Sequence, residues 1–173
     1  PTVPDHIKRP LTEMASPPIR NLATLGGNIC NASPAGDSLP MLYALDARLY
    51  LQSSRGVQVV PIADFITGPG QTRLAPDQLL TRIEIPLAGA GACYYRKVGQ
   101  RKANSISKVS FYAIADYDRD RINSVRIALG AVAPVVVRSP AAEALMVGLN
   151  RDELKKEIPR VLQLYRGLIR PVD

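Results

Sequence analysis

Two segments near residue 30 stand close together and carry residue types that bind phosphate and ribose. Residues 23–37 read ATLGGNICNASPAGD, in which a Gly-Gly-Asn turn precedes a Ser-Pro-Ala-Gly-Asp turn. Adjacent glycines let the backbone approach another group closely, and consecutive turn amides form a concave, partly positive site for a pyrophosphate. Thr24 and Asn28 flank Gly26 and Gly27 with a hydroxyl and an amide that can hydrogen-bond to phosphate or ribose oxygens. An ordinary tight turn also explains a Gly-Gly pair, so the pair alone does not distinguish a phosphate-binding site from such a turn.

Asp37 ends this segment and has two interpretations. Its carboxylate could accept hydrogen bonds from ribose hydroxyls, as acidic residues do in dinucleotide-binding folds. It could equally cap the helix predicted to begin at Ser38. The residue types leave both open.

Other classes of site lack the residues they need. The chain has two cysteines, Cys30 and Cys93, without CxxC spacing, and one histidine, His6. A zinc site or an iron-sulfur cluster needs more ligands, so we predict no metal site and no histidine-based catalytic residue. Neither GxGxxG nor GxxxxGK[ST] occurs, so a Rossmann site and a P-loop are not predicted.

The net charge of +7 arises from 22 Lys and Arg against 15 Asp and Glu. These cations are spread along the chain, aromatic residues make up 5%, and no nucleic-acid motif is present, so we predict no nucleic-acid partner. A basic surface that docks an acidic subunit or attracts an anionic nucleotide is favoured. No apolar run reaches the length of a membrane helix, and we expect a soluble, cytoplasmic protein.

The first half of the chain reads as a mixture of strands, helical turns and loops. The opening PTVPDHIKRP is linker-like, a short helix is predicted for residues 10–15, and Pro17 and Pro18 should end it. IRNLATL is predicted to be extended, and SLPMLYALDA has the apolar spacing of a helix packed on a sheet. RLYLQS, GVQVVPI and LLTRIEIPL are predicted strands, PIADFI a helical turn, and residues 68–70 a loop.

The second half has a different pattern after the flexible stretch AGAGA at residues 88–92. CYYRKV, ISKVSFYAIADYD and INSVRIALGAVA alternate apolar and polar residues, which predicts a three-stranded antiparallel sheet. PVVVRS is a short extended link. Two helices follow, with cap signals at Ser139, Pro140 and Glu143 and at Asn150 and Glu153. The chain is thus predicted to be an α+β protein of two units, residues 1–88 and 89–173.

The run IRNLATLGGNICNASPAGDSLPMLYALDA resembles the flavin-binding segment of the medium, FAD-carrying subunit of molybdenum hydroxylases. This family includes carbon monoxide dehydrogenase and bacterial xanthine dehydrogenase. The resemblance continues through DFITGPGQTRLAPDQLLTRIEIP and YYRKVGQRKANSISKVS and covers nearly the whole chain. It implies the second half of a vanillyl-alcohol-oxidase-like FAD-binding domain, followed by a carbon monoxide dehydrogenase flavoprotein C-terminal-like domain.

The same resemblance implies a set of FAD-binding residues. The pyrophosphate and ribityl region would lie on the segment from Thr24 to Asn28, with Asp37 on the adenosine side. Leu80 would pack near the adenine or the flavin, and Lys97 would reach the cofactor from the second unit. The implied site consists of Thr24, Leu25, Gly26, Gly27, Asn28, Asp37, Leu80 and Lys97, with Ile29 and Cys30 following it.

By resemblance the function is electron transfer in an oxidoreductase complex. A molybdopterin-containing subunit would hydroxylate the substrate, a [2Fe-2S] subunit would relay electrons, and FAD on this subunit would store two of them. No acid-base catalytic residue is expected, because the cofactor carries the chemistry. Family members begin with a further subdomain that supplies half of the pyrophosphate site, and this chain begins after it, so we do not expect tight FAD binding by these residues alone.

Two alternatives remain open from the sequence. One is a flavin-free scaffold or docking subunit of the same complex. The other is a different oxidoreductase of the same flavin-binding superfamily, such as a cell-wall sugar reductase or a vanillyl-alcohol-type oxidase. The YRKVGQRKANSISKV continuation argues against the second of these.

Overall fold

The computed structural model describes residues 3–87, 91–101 and 104–171. Its helices are α1 (Asp5–Thr12), α2 (Pro17–Leu22), α3 (Leu25–Asn31), α4 (Leu39–Ala44), α5 (Ile62–Phe65), α6 (Pro140–Ala144) and α7 (Arg151–Arg166). Its strands are β1 (Arg48–Ser53), β2 (Gly56–Pro61), β3 (Ile66–Gly68), β4 (Gln71–Thr72), β5 (Leu79–Glu84), β6 (Ala92–Gly99), β7 (Ser107–Asp118), β8 (Arg121–Gly130) and β9 (Val137–Arg138). The predicted unit boundary at residues 88 and 89 lies outside the described residues.

The first half contains a three-stranded antiparallel sheet in the order β2-β1-β5 and the short hairpin β3-β4. In the central strand, Leu49 and Leu51 are buried, while Tyr50 between them and the flanking Arg48 and Gln52 are more exposed, which is the alternation of a sheet with one face on a core. Leu49 pairs with Val60 of β2 and Ile83 of β5, so the core face continues across the sheet. The predicted strands of this half are confirmed.

The second half contains a four-stranded antiparallel sheet in the order β6-β7-β8-β9. The three predicted strands are present, and the predicted link PVVVRS supplies β9, a fourth short strand that pairs with β8. The cap signals are confirmed, because Ser139 accepts a hydrogen bond from the Ala142 amide and Asn150 forms a capping box with Glu153.

One apolar core joins the two halves of the chain. Helix α4 packs on β7 and β8, and its Met41 and Leu42 are fully buried together with Tyr112 and Ala128 of that sheet. A second cluster lies under α6 and α7, where Met146 and other buried side chains pack beside β8. The α+β prediction is confirmed, and the core fixes the first sheet relative to the second.

Three local predictions near the N-terminus were wrong. The linker-like opening forms α1, because Ile7 and Pro10 are buried and the helix packs on β6. Pro17 and Pro18 begin α2 rather than ending a helix, since proline fits the first helical turn, where its missing N–H would be unpaired anyway. IRNLATL is therefore largely helical, with only Ala23 and Thr24 extended before the next helix.

Within the described part of the chain, no helix is both long enough and apolar enough to cross a lipid bilayer. The same residues contain no group of three or more His, Cys, Asp or Glu side chains placed to hold a metal ion.

Candidate functional site

The Gly-Gly-Asn segment lies in the first turns of helix α3, so the predicted tight turn after an extended segment was wrong. Thr24 is the N-cap residue, and its hydroxyl accepts a hydrogen bond of 2.9 Å from the Gly27 amide. The backbone N–H of Asn28 donates to the Thr24 carbonyl at 3.0 Å. The first four amides of a helix have no partner within it. Among the described residues, those of Leu25 and Gly26 have no acceptor, and they are available to an external group.

A side chain at Gly26 and one at Gly27 would meet different surroundings. A Cβ built on Gly27 would lie 3.0 Å from Thr24 Oγ1, so a side chain there would crowd the cap. A Cβ built on Gly26 would meet only Leu80 Cδ2, at 3.8 Å, which is an ordinary contact. The folded chain therefore does not require glycine at position 26. A ligand that lies against this turn would require it.

Leu80 brings strand β5 to the same place. Its side chain is half-buried beside Gly26, and α3 packs on β5. The structure thus joins Leu80 to the helical segment predicted from the sequence. The result is an apolar side chain beside Gly26, next to two backbone amides that have no acceptor among the described residues.

Asn28 is oriented by a buried serine. The Ser38 hydroxyl, which is fully buried, donates to Asn28 Oδ1 at 2.7 Å. Because the side-chain oxygen of Asn28 accepts this bond, its side-chain nitrogen keeps two N–H groups that can donate to another acceptor. Ser38 was not predicted as a site residue, because nothing in the sequence shows that it faces α3.

Asp37 forms a buried ion pair with Lys97. Lys97 Nζ lies 2.6 Å from Asp37 Oδ2, and the two side chains are 11% and 8% exposed. Ser107 donates to the other carboxylate oxygen of Asp37 at 2.5 Å. The helix-cap interpretation of Asp37 was wrong, since Ser38 is the N-cap of α4 and makes no side-chain cap bond, while Asp37 points to β6 and β7. The ribose interpretation stays a prediction.

Lys97 lies on the wall of a cleft of about 760 Å³. The cleft is open between the α1–α2 region, which contributes Glu13 and Arg20, and the β6–β7 end of the second sheet. Arg96 and Arg101 are also on its wall, so its lining carries more positive than negative charge. An anionic group would be attracted to such a surface.

Four other polar or reactive side chains of α3, β6 and the segment after β6 have structural explanations. Cys30 is half-buried, and burial raises the pKa of its thiol, so it is not an activated nucleophile. Tyr95 is buried and Tyr94 is exposed, as the predicted strand alternation requires. Tyr94 packs edge-on against Phe111 of β7. The Arg101 guanidinium donates to the Asn104 carbonyl.

Two family descriptions together match most of the chain. Residues 3–88 match the family described as the FAD binding domain in molybdopterin dehydrogenase. Residues 94–168 match the CO dehydrogenase flavoprotein C-terminal domain. The chain belongs to the molybdopterin dehydrogenase flavoprotein family. The family resemblance and the fold class predicted from the sequence are confirmed.

Flavoprotein subunits of this family are similar over most of the chain. A xanthine dehydrogenase FAD-binding subunit of Escherichia coli is 36% identical over 157 residues, which are 88% of this chain and 53% of the relative. A glyceraldehyde dehydrogenase medium chain of Sulfolobus acidocaldarius is 32% identical over 154 residues, with the same two coverages of 88% and 53%. The structure of reconstituted CO dehydrogenase from Oligotropha carboxidovorans superposes with a TM-score of 0.86 at 25% identity, over 94% of this chain and 56% of that one. The chain spans about half the length of the curated relatives it matches.

The residues present fit the FAD expected in this flavoprotein family. The amides of Leu25 and Gly26, which find no acceptor in the part of the chain that the structure describes, suit a pyrophosphate, since helix N-termini favour negative charge. Gly26 leaves room for close approach, and Leu80 offers an apolar surface beside it. The eight predicted residues form two neighbouring groups, one at α3 with Leu80 and one at the Asp37–Lys97 pair. Asn28 and Ser38 connect them, because Ser38 follows Asp37 directly in the chain.

Proposed function

We propose that this chain is the FAD-binding, electron-transfer part of a multi-subunit molybdenum hydroxylase, an oxidoreductase of the xanthine or carbon monoxide dehydrogenase type. The observation that carries the proposal is the α3 N-terminus. There the amides of Leu25 and Gly26 have no acceptor among the described residues, and the fold itself does not require glycine at position 26. This feature lies inside the segment that matches an FAD-binding family.

Each proposed site residue has a binding role rather than a chemical one. Thr24 holds the first turn of α3 in shape through its bond to the Gly27 amide, and the amides of Leu25 and Gly26 would hold phosphate oxygens. Asn28, oriented by Ser38, would donate to a phosphate or ribose oxygen. FAD, when bound here, would take up electrons and pass them to an acceptor. The protein supplies position and charge, so no acid-base residue is required.

The second group of the proposed site concerns charge and apolar packing. Leu80 would pack against a ring of the cofactor, because it is only half-buried by the chain itself. Asp37 and Lys97 would place a carboxylate and an ammonium at the side of the site that faces the cleft. The ammonium would favour any negative charge that develops on the cofactor.

The partners and location follow from the same proposal. An iron-sulfur subunit and a molybdenum-binding subunit with molybdopterin would supply the electrons. One relative is named a medium chain, which supports a complex of several chains. We place the complex in the cytoplasm. Both cysteines of the chain are free thiols, which agrees with a reducing compartment.

The proposal is tested by titrating the protein with FAD and then with FMN while following flavin fluorescence and melting temperature. The titration uses this chain and, where its gene encodes further residues, the complete gene product. We expect saturable binding of FAD, with a weaker response to FMN because FMN lacks the pyrophosphate and adenosine. If neither form of the protein binds FAD, the flavoprotein proposal is wrong and a scaffold role replaces it.

A further inference from the structure

Ser107 is a buried residue at the start of β7 whose hydroxyl is hydrogen-bonded to Asp37 of the proposed site. It is 5% exposed, and its hydroxyl donates to Asp37 Oδ1. The other oxygen of the same carboxylate receives Lys97 Nζ. Ser107 therefore occupies one side of the carboxylate and Lys97 the other.

An irregularity in the second sheet brings Ser107 to this position. Strands β6 and β7 pair regularly from Ala92 to Val98, and the register then shifts so that Gly99 lies opposite Ser107. Side chains directly opposite each other in an antiparallel pair lie on the same face, and a shift of one residue exchanges the faces. The shift thus places Ser107 on the face that also carries Lys97.

Holding one oxygen of a carboxylate fixes the direction of the other. Without the Ser107 bond, the Asp37 side chain could turn about its last torsion, which is broad for aspartate. With the bond, Oδ2 is directed at Lys97. Because the pair is largely removed from water, the attraction between the charges holds the ammonium more strongly than it would at the surface.

We propose that Ser107 is a positioning residue of the cofactor site. It holds the Asp37 carboxylate, and through it the Lys97 ammonium, in one position beside the cleft that Lys97 lines and from which the cofactor would be met. This inference rests on the proposed function for its meaning, but the positioning itself is a property of the chain without FAD. The two parts can therefore be tested apart.

The first test measures the reactivity of Lys97 toward acetic anhydride by mass spectrometry, with no flavin added. Ser107→Ala should speed acetylation of Lys97 by about tenfold, because a hydrogen bond to a charged group is lost and the pair opens more often. Ser110→Ala is the matched control. Ser110 lies on the same strand, is fully buried and has no hydrogen-bond partner among the described residues. Ser107→Thr, which keeps the hydroxyl, should return the rate toward that of the wild type.

The outcomes of this first test separate positioning from general loosening. Equal acetylation rates in the wild type and in folded Ser107→Ala would overturn the inference. So would an equal increase in Ser110→Ala, since Ser110 lies directly opposite Lys97 and that result would mean that loosening the packing beside Lys97 is enough to open the pair. A circular dichroism melt of each variant establishes that the folded protein is being labelled.

The second test uses FAD affinity in two backgrounds. In the wild-type background, Ser107→Ala should weaken FAD binding by about tenfold. In the Asp37→Asn background, the same change should have no further effect, because Ser107 acts through that carboxylate. Equal losses in both backgrounds would overturn the inference. If acetylation changes as expected but no variant binds FAD, the positioning stands and the proposed function fails.

Discussion

Lys97 Nζ lies 2.6 Å from Asp37 Oδ2. Lys97 is on β6 and Asp37 lies just before α4, so this largely buried ion pair joins the two halves of the chain. Removing water from two charges is costly, and their mutual attraction offsets this only when both are present. The pair therefore has a structural consequence that can be measured without any ligand.

Lys97→Met should destabilise the protein by about 3–5 kcal/mol, because it leaves the Asp37 carboxylate buried and without its cation. Urea unfolding at neutral pH measures the change. The matched control is Lys155→Met, since Lys155 pairs with Asp152 at the surface, with side chains 60% and 83% exposed. That change should cost less than about 1 kcal/mol. The double variant Asp37→Asn with Lys97→Met should be more stable than Lys97→Met alone, and a further loss would contradict the argument.

Gly26→Ala separates ligand binding from folding. A Cβ at this position meets only Leu80 Cδ2 at 3.8 Å, and alanine is the better helix former by about 1 kcal/mol, so the melting temperature should stay equal or rise. FAD affinity should fall by about tenfold or more if the cofactor lies against this backbone. Fluorescence titration measures the affinity.

Two further glycine variants control for this result. Gly167→Ala, at the end of α7 with a helical φ of −63°, should leave FAD affinity unchanged. Gly27→Ala is a less selective probe, because its Cβ would crowd Thr24 Oγ1 and disturb the cap as well as the ligand. Unchanged FAD affinity in Gly26→Ala would remove the α3 N-terminus from the site.

The Arg138–Glu143 pair should be sensitive even to a conservative substitution. Arg138 binds both oxygens of the buried Glu143 carboxylate, at 2.9 and 3.0 Å, and also donates to the Tyr43 carbonyl at the end of α4. Burial by itself would lower the pKa of Arg138, but Glu143 and Asp46 together raise it. Arg138→Lys keeps the charge but not the planar fork, so a loss of about 2 kcal/mol is expected by urea unfolding.

The control for this pair is an exposed one. Arg55 lies 2.8 Å from Asp77, with side chains 78% and 45% exposed. Arg55→Lys should change the free energy of unfolding by less than about 0.5 kcal/mol. Equal effects at the two arginines would show that the geometry at Arg138 contributes nothing beyond charge.

The capping box of α7 should make stability depend on acid pH. The hydrogen bond from the backbone N–H of Asn150 lowers the pKa of the Glu153 carboxyl below its ordinary value of 4.5, and the positive charge of Arg121 lowers it further, to a smaller extent. A pKa that is lower in the folded state gives stability that is present above pH 4.5 and is lost as the pH falls through the folded value. Glu153→Gln should therefore be less stable than the wild type at neutral pH and should approach it in acid.

Asn150→Ala is the control for this pH dependence. It removes the other half of the same capping box and should cost about 1 kcal/mol. Since asparagine does not titrate, that loss should persist in acid. Urea midpoints measured from neutral pH to below pH 4 would compare the two variants, and parallel curves would show that Glu153 ionisation does not contribute.

The strands and the capped helices could be predicted because their signals are local. Alternation in RLYLQS places Leu49 and Leu51 on one face whatever lies beneath them, and Asn150 with Glu153 marks a helix start by itself. The run IRNLATLGGNICNASPAGDSLPMLYALDA carried the family resemblance, and the matched family confirms that resemblance, while the role of each residue in FAD binding stays a prediction.

The short helices at the N-terminus could not be predicted in the same way. Helices α1 and α2 have eight and six residues, and helices of such length are marginal without tertiary contacts. Burial of Ile7 and Pro10 stabilises α1, and that burial depends on β6, which lies far away in the sequence. For the Gly-Gly pair, the sequence could not distinguish a turn from the first turn of a helix capped by Thr24.

The sequence by itself determined that glycines, a hydroxyl, an amide and a carboxylate, the residue types of a nucleotide site, lie within one short segment, because residue types are read without any tertiary contact. It left the tight-turn and helix-cap interpretations of those residues open. Only the tertiary structure decided that Asp37 turns to Lys97 and Ser107, and that Ser38 orients Asn28. Those contacts depend on a register shift between β6 and β7 and on the packing of α4 against the second sheet. The register shift and the helix packing both arise between segments far apart in the chain, so residue spacing within one segment does not predict them.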